Sequence, residues 1–160
     1  MKATRRDVLK SGAGASVYAL AMAAGLVGPG RAQAQLPGWN KAAFDGKTFS
    51  EAAKALGAAT PAESAAVRFL PPTPEIAENG AFVPISVAST LPGTESIALL
   101  IAKNPNTLAA NFTLAEGTDA FVSTRVKMSE TSHVYALVKA EGKYYYARKE
   151  IRVTIGGCGG

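Results

Sequence analysis

The feature that most constrains this chain is a succession of short apolar runs, each closed by a turn signal, from about Ala66 to Ile155. Val67 and Phe69 alternate across Arg68 before Pro71-Pro72-Thr73-Pro74 breaks the run. Asn79-Gly80 marks a turn into Phe82–Thr90, and Pro92-Gly93 marks the next. Ser96–Ala102 is apolar through Ile97, Ala98, Leu99, Leu100 and Ile101, as expected of a central strand buried on both sides, and Asn104-Pro105-Asn106 ends it. Strands around Ala110–Leu114 and Ala120–Lys127 follow. Ser132–Lys139 and Tyr144–Ile155 form a last hairpin across Ala140-Glu141-Gly142-Lys143, with Ile151, Val153 and Ile155 on one face. About seven short strands so spaced predict an immunoglobulin-like antiparallel β-sandwich over 66–155. The cysteine pair common in such domains is absent, because the chain has one cysteine. A hydrophobic content of 48% over 160 residues supplies one core and one such domain.

Ahead of the strands, 35–65 reads as a helical segment. Thr48-Phe49-Ser50-Glu51 has capping-box spacing, with Glu51 expected to reach back to the Thr48 amide. Phe49, Ala52, Ala53 and Leu56 make one apolar face, and Gly57 is the stop. That face suits a lid on the core. Thr60-Pro61-Ala62-Glu63 reads as another short turn.

Residues 1–34 read as an export signal. Thr4-Arg5-Arg6-Asp7-Val8-Leu9-Lys10 resembles the twin-arginine pattern, with valine where phenylalanine is more usual. A small-residue apolar stretch from Gly12 to Gly28 leads to Ala32-Gln33-Ala34, an A-x-A cleavage site. The stretch is short and glycine-rich for a membrane span. The mature chain is expected to begin at Gln35, in a periplasm, and neither membrane nor nucleic acid is expected as a partner. Of the formal charge of +5, residues 1–34 hold +4, so the folded part lacks the concentrated basic charge of a nucleic-acid binder. The twin-arginine route carries folded proteins, often with a cofactor, yet the chain has no CxxC, HExxH, GxGxxG or P-loop. Export docked to a partner without its own signal is another reason for that route.

After Ile155 only Gly156-Gly157-Cys158-Gly159-Gly160 remains. The four glycines bring no side chain to bury, so the segment is expected to be a flexible arm over 156–160. Cysteine is normally among the most buried residues, and one placed where burial is impossible calls for a chemical reason. A disulfide within the chain is excluded. A metal site would need more ligands, and His133, in a strand pattern, is the other soft candidate. A copper or redox shuttle fares no better, with Met128 thirty residues away in sequence. A structural or adhesive domain dimerised by an interchain disulfide at Cys158 stays open. The reading that uses every feature of the tail is a covalent carrier. Cys158 can project roughly 10 Å past Ile155 on a ribbon thin enough for a narrow channel. A free thiol with a pKa near 8.5 is only a few per cent thiolate at neutral pH, and no cationic side chain adjoins it in sequence. Activation would come from the enzyme that receives the arm, which makes Cys158 an attachment site and not a catalyst.

Ile155-Gly156-Gly157-Cys158-Gly159-Gly160 resembles the terminal motif of the SoxY family, the carrier subunits of thiosulfate-oxidising (Sox) systems. The similarity extends to Pro74-Glu75-Ile76-Ala77-Glu78-Asn79-Gly80 with Val83-Pro84, and to Lys103-Asn104-Pro105-Asn106 leading into Leu108-Ala109-Ala110-Asn111-Phe112. The resemblance implies an immunoglobulin-like fold and a heterodimer with a signal-less SoxZ-like subunit. It implies that Cys158 bears pathway intermediates, an S-thiosulfonate, a persulfide and oxidised forms. These would be presented in turn to the c-type cytochrome SoxAX, the SoxB hydrolase and a sulfane dehydrogenase. It implies no cofactor and no catalysis by the chain itself.

Overall fold

The apolar run at Ile97–Ile101 alternates faces like any strand, so both faces of the sheet that holds it must be covered. The computed structural model, which describes residues 39–157, meets that demand with a second sheet on one side and two helices on the other. The helices are α1 (Lys41–Asp45) and α2 (Phe49–Ala55). The strands are β1 (Ala62–Glu63), β2 (Val67–Leu70), β3 (Ile76–Asn79), β4 (Val83–Ser89), β5 (Thr94–Ile101), β6 (Leu108–Thr113), β7 (Phe121–Val126), β8 (Ser132–Ala140) and β9 (Lys143–Ile155). The larger sheet runs β1-β9-β8-β5-β6, with β3 also paired to β9. The smaller runs β2-β4-β7. The architecture is the expected immunoglobulin-like sandwich.

β5 divides its side chains between two clusters. Ile97, Leu99 and Ile101 enter the inter-sheet core with Ile85 and Val87 of β4, Val134, Ala136 and Val138 of β8, and Ile151 of β9. Ala98 and Leu100 face the helices, among Ala43, Ala52, Ala53, Leu108 and Leu137. Each large aliphatic side chain so buried contributes about 1.5–3 kcal/mol. Phe49 of α2 stacks on Tyr135 at 4.4 Å and tilts against Tyr146 at 5.5 Å, which fixes the helical lid on the sheet.

Local chemistry sets the ends of α2. Thr48 Oγ1 accepts from the Glu51 amide at 3.2 Å, as the capping box predicts. The Glu51 carboxylate, however, accepts from the Lys47 amide at 2.9 Å and not from Thr48. Gly57 stops the helix at φ +94°, and the Gly57 and Ala58 amides return to Lys54 and Ala53 in a Schellman pattern. Tyr144 of β9 donates its hydroxyl to the Leu56 carbonyl at 2.6 Å, so the lid is tied to the sheet by a polar contact as well.

Two further expectations are corrected, and one strand lies where none is expected. Thr60-Pro61-Ala62-Glu63 is no helical turn: Ala62 and Glu63 pair in parallel with Tyr145 and Tyr146. Glu75–Asn79, which has no clean alternation, also contributes a strand, because β3 pairs in parallel with Arg152–Ile155. Ile155, expected to share the inward face with Ile151, is 66% exposed. By that point β9 has run past the end of β8, whose pairing stops at Ser132 opposite Ile151.

Candidate functional site

β9 begins at a two-residue turn and ends at the glycine tail. Glu141 and Gly142 both have positive φ, 48° and 72°, the geometry that matches the twist of a tight hairpin and fixes its register. That register carries through Ile151, after which β9 has β3 on one side and the chain segment following β7 on the other. The Val153 amide donates to Thr131 Oγ1 at 3.0 Å, in place of a strand partner.

Beyond Ile155 the backbone enters a closed circuit of hydrogen bonds. The Gly80 amide donates to the Ile155 carbonyl at 2.7 Å, the Met128 amide to the Gly80 carbonyl at 2.7 Å, and the Gly157 amide to the Met128 carbonyl at 2.9 Å. These approaches leave no room for side chains. A Cβ on Gly80 would stand within 3.0 Å of Met128 O, Gly157 N and Val153 Cγ1. One on Gly157 would stand within 3.0 Å of Gly80 and Ala81 backbone atoms, and one on Gly156 within 3.0 Å of the Ser129 carbonyl oxygen.

Two asparagines shape this seat. Asn79 Oδ1 accepts from the Ala81 amide at 2.8 Å and holds the bend that presents Gly80. Asn104, just past β5, donates from Nδ2 to the Lys127 carbonyl at 2.7 Å and accepts on Oδ1 from the Ser129 amide at 3.0 Å. It thereby braces Met128 from both sides. Ser129 Oγ is buried and has no hydrogen-bond partner among the described residues.

Gly156 and Gly157, where the flexible arm is expected to begin, lie against the fold, with no room for a Cβ at either. Cys158, Gly159 and Gly160 lie outside the described residues, as do 1–34. Met128, set aside for its distance in sequence, is the residue whose carbonyl receives Gly157; its side chain is fully buried in the core and faces no ligand. His133 is exposed, pairs with Glu150 across β8 and β9, and lies 6.4 Å from the Tyr135 ring, away from any cluster of ligands. Among the described residues no three His, Cys, Asp or Glu side chains group as a metal site. Sequence reasoning missed Gly80, Asn104 and Ser129 as neighbours of the tail. The glycine of Asn79-Gly80 and the Asn104-Pro105-Asn106 break were visible, but only as turn signals.

The clear electrostatic perturbation among these residues lies at the other end of β9. The Lys139 ammonium, 2.5 Å from Glu95, and the Gly142 amide hold the Glu95 carboxyl below its usual range. Lys139 is raised in turn, first by its hydrogen bond to Glu95. Nearer the tail, the exposed Lys103–Glu130 pair, 3.8 Å apart, adjoins the Met128–Ser129 segment that receives Gly157.

Residues 52–158 match the family model described as sulfur oxidation protein SoxY. The sulfur carrier protein SoxY from Chlorobium limicola f thiosulfatophilum is 37% identical in sequence, with a TM-score of 0.56, over 64% of this chain and 94% of that one. A superoxide reductase (neelaredoxin) from Ignicoccus hospitalis is 16% identical over 54% of this chain and 79% of its own, with a TM-score of 0.47. Among curated proteins no sequence matches.

Proposed function

From its membership of the SoxY family of sulfur oxidation proteins, to which this chain belongs, we propose that it carries sulfur intermediates covalently on Cys158 and presents them to partner enzymes. The observation that carries this reading is the placement of the single cysteine one residue beyond a glycine pair held at the end of β9. A thiol there has a fixed origin and no side-chain neighbours in sequence on either side. It is built to be presented.

The chemistry balances with partners supplying the electrons' destination and the water. The Cys158 thiolate and the outer sulfur of thiosulfate form an S–S bond as two electrons pass to a c-type cytochrome enzyme, SoxAX. Hydrolysis by SoxB then releases sulfate and leaves the persulfide. A sulfane dehydrogenase then passes six electrons from the outer sulfur to its acceptor, three waters supplying the oxygens of the resulting S-sulfonate, and a second hydrolysis releases sulfate and frees the thiol. Sulfur suits this cycle because S–S bonds form and exchange under mild conditions. Oxidised thiol species are prone to side reactions, which delivery on a tether limits. The chain itself is then a substrate carrier and not an enzyme. The 1–34 signal would be cut before Gln35 and the domain exported to the periplasm by the twin-arginine route as a heterodimer with a SoxZ-like subunit. No helix among the described residues is long and apolar enough to cross a membrane.

Intact mass of the protein isolated from its native compartment tests the reading. Adducts of about 112 Da for bound thiosulfate and about 32 Da for a persulfide are expected, both removed by reductant. Cys158→Ser should abolish them, along with thiosulfate oxidation by the reconstituted system. A uniform interchain disulfide without sulfur adducts, and turnover intact in the serine variant, would favour a structural dimer instead.

A further inference from the structure

The segments that resemble the family outside its terminal motif lie far apart in sequence, yet they meet at one place. Asn79-Gly80 closes the first of them. Asn104 belongs to the second, and through Lys127 and Ser129 it holds the chain that receives Gly157. Hydrogen bonds link Gly80, Met128 and Gly157 in a circuit, and each of Gly80, Gly156 and Gly157 excludes a Cβ. Three bonds and three enforced glycines are more than is needed to end a strand. They define where the chain leaves the fold.

We infer that Gly80, Met128 and Ser129, braced by Asn104, are positioning residues that anchor Gly156 and Gly157 and make Gly157 the pivot of Cys158. The inference rests on the carrier reading only for what the cysteine bears. Its consequence is a shorter lever. Measured from Ile155, three extended residues reach roughly 10 Å; measured from Gly157, Cys158 is a single step of about 3.8 Å between Cα atoms. A partner enzyme must therefore either take the thiol close against this surface or first open the seat. Gly156 and Gly157 are therefore required by this chain's own backbone.

Amide hydrogen exchange on the full domain, followed by NMR, tests the anchor directly. The Gly157 amide should exchange at least about tenfold more slowly than an unprotected glycine, as expected of a bond broken only by local opening. A nitroxide on Cys158 supplies a second measurement, one that a purely structural role would leave unmoved. Its spectral lines should be broad in the native sequence and sharpen in Gly80→Ala and Gly157→Ala, while Gly159→Ala should leave Gly157 protection unchanged. Gly157 is half-buried at the edge of the fold and Gly80 is buried, so Gly157→Ala carries the test if Gly80→Ala does not fold. A Gly157 amide exchanging freely beside protected Gly80 and Met128 amides would overturn the anchor, as would unaltered line shape in Gly157→Ala. Neither readout depends on bound sulfur. Protection without sulfur adducts would keep the seat and end the carrier reading, and adducts without protection would do the reverse.

Discussion

Five consecutive residues of β5, Ile97 to Ile101, are almost wholly buried and make their contacts through side chains. Gly80, Gly156 and Gly157 meet through backbone atoms, in space that no side chain could enter. The two regions show two ways of fixing a chain. Side-chain burial stores free energy in proportion to area and accepts substitutes of similar volume. Backbone apposition stores little, but it tolerates no added atom and so determines position closely.

The largest expected effect breaks the first region. Leu99→Ala should cost about 2–5 kcal/mol in chemical denaturation, the range for deleting a fully buried leucine, while Leu99→Met should cost under about 1.5 kcal/mol. A cost for Leu99→Ala below about 1 kcal/mol would show that the core closes over the gap and that β5 is not held as described.

A smaller effect sharpens the contrast. Gly157→Ala removes the fit of one hydrogen-bonded residue at the edge of the fold, so global stability should fall by only about 1 kcal/mol. A loss as large as that of Leu99→Ala would mean that the seat is part of the core and the contrast is false.

The smallest effect belongs to a contact of neither kind, the exposed Glu95–Lys139 pair. The Glu95 carboxyl is lowered by Lys139, so its contribution is present above the ordinary carboxylate range and is lost as pH falls through its depressed folded value. Lys139 is raised, so its contribution holds through neutral pH and is lost only as pH rises through its elevated value. Thermal melts of Glu95→Gln should trail the native protein slightly at neutral pH and converge with it on acidification, and salt should narrow the gap. A difference that stays constant into acid would remove the ion pair as its cause.

The same division explains what could be read in advance. Side chains write themselves into sequence: the unbroken run at Ile97–Ile101, the strand within Ala120–Lys127, the Glu141-Gly142 turn, the Thr48 cap and the Gly57 stop all appear in the structure as expected. β1 and β3 escaped because parallel pairing of two to four residues leaves no periodic trace, and because both depend on the length of β9. The seat escaped for a deeper reason. Its contacts join Gly80, Met128 and Gly157 through atoms that every residue possesses, and only the lack of Cβ at three glycines betrays it. In the tail those glycines invited the opposite reading, freedom instead of fit.

The single strand from Lys143 to Ile155 joins a turn that admits two residues to a seat that admits no side chain. Thirteen residues at about 3.3 Å each make a ruler of about 43 Å with both ends clamped. Such a ruler cannot be recalibrated by one residue. An insertion within it would advance the tail by a full step and exchange its two faces, turning Ile151 to solvent and bringing Gly157 to Gly80 with the wrong backbone group forward. Changes in the length of this strand are therefore expected in pairs or not at all, and a related carrier with an altered hairpin should conserve the parity of the count, whatever residues fill it.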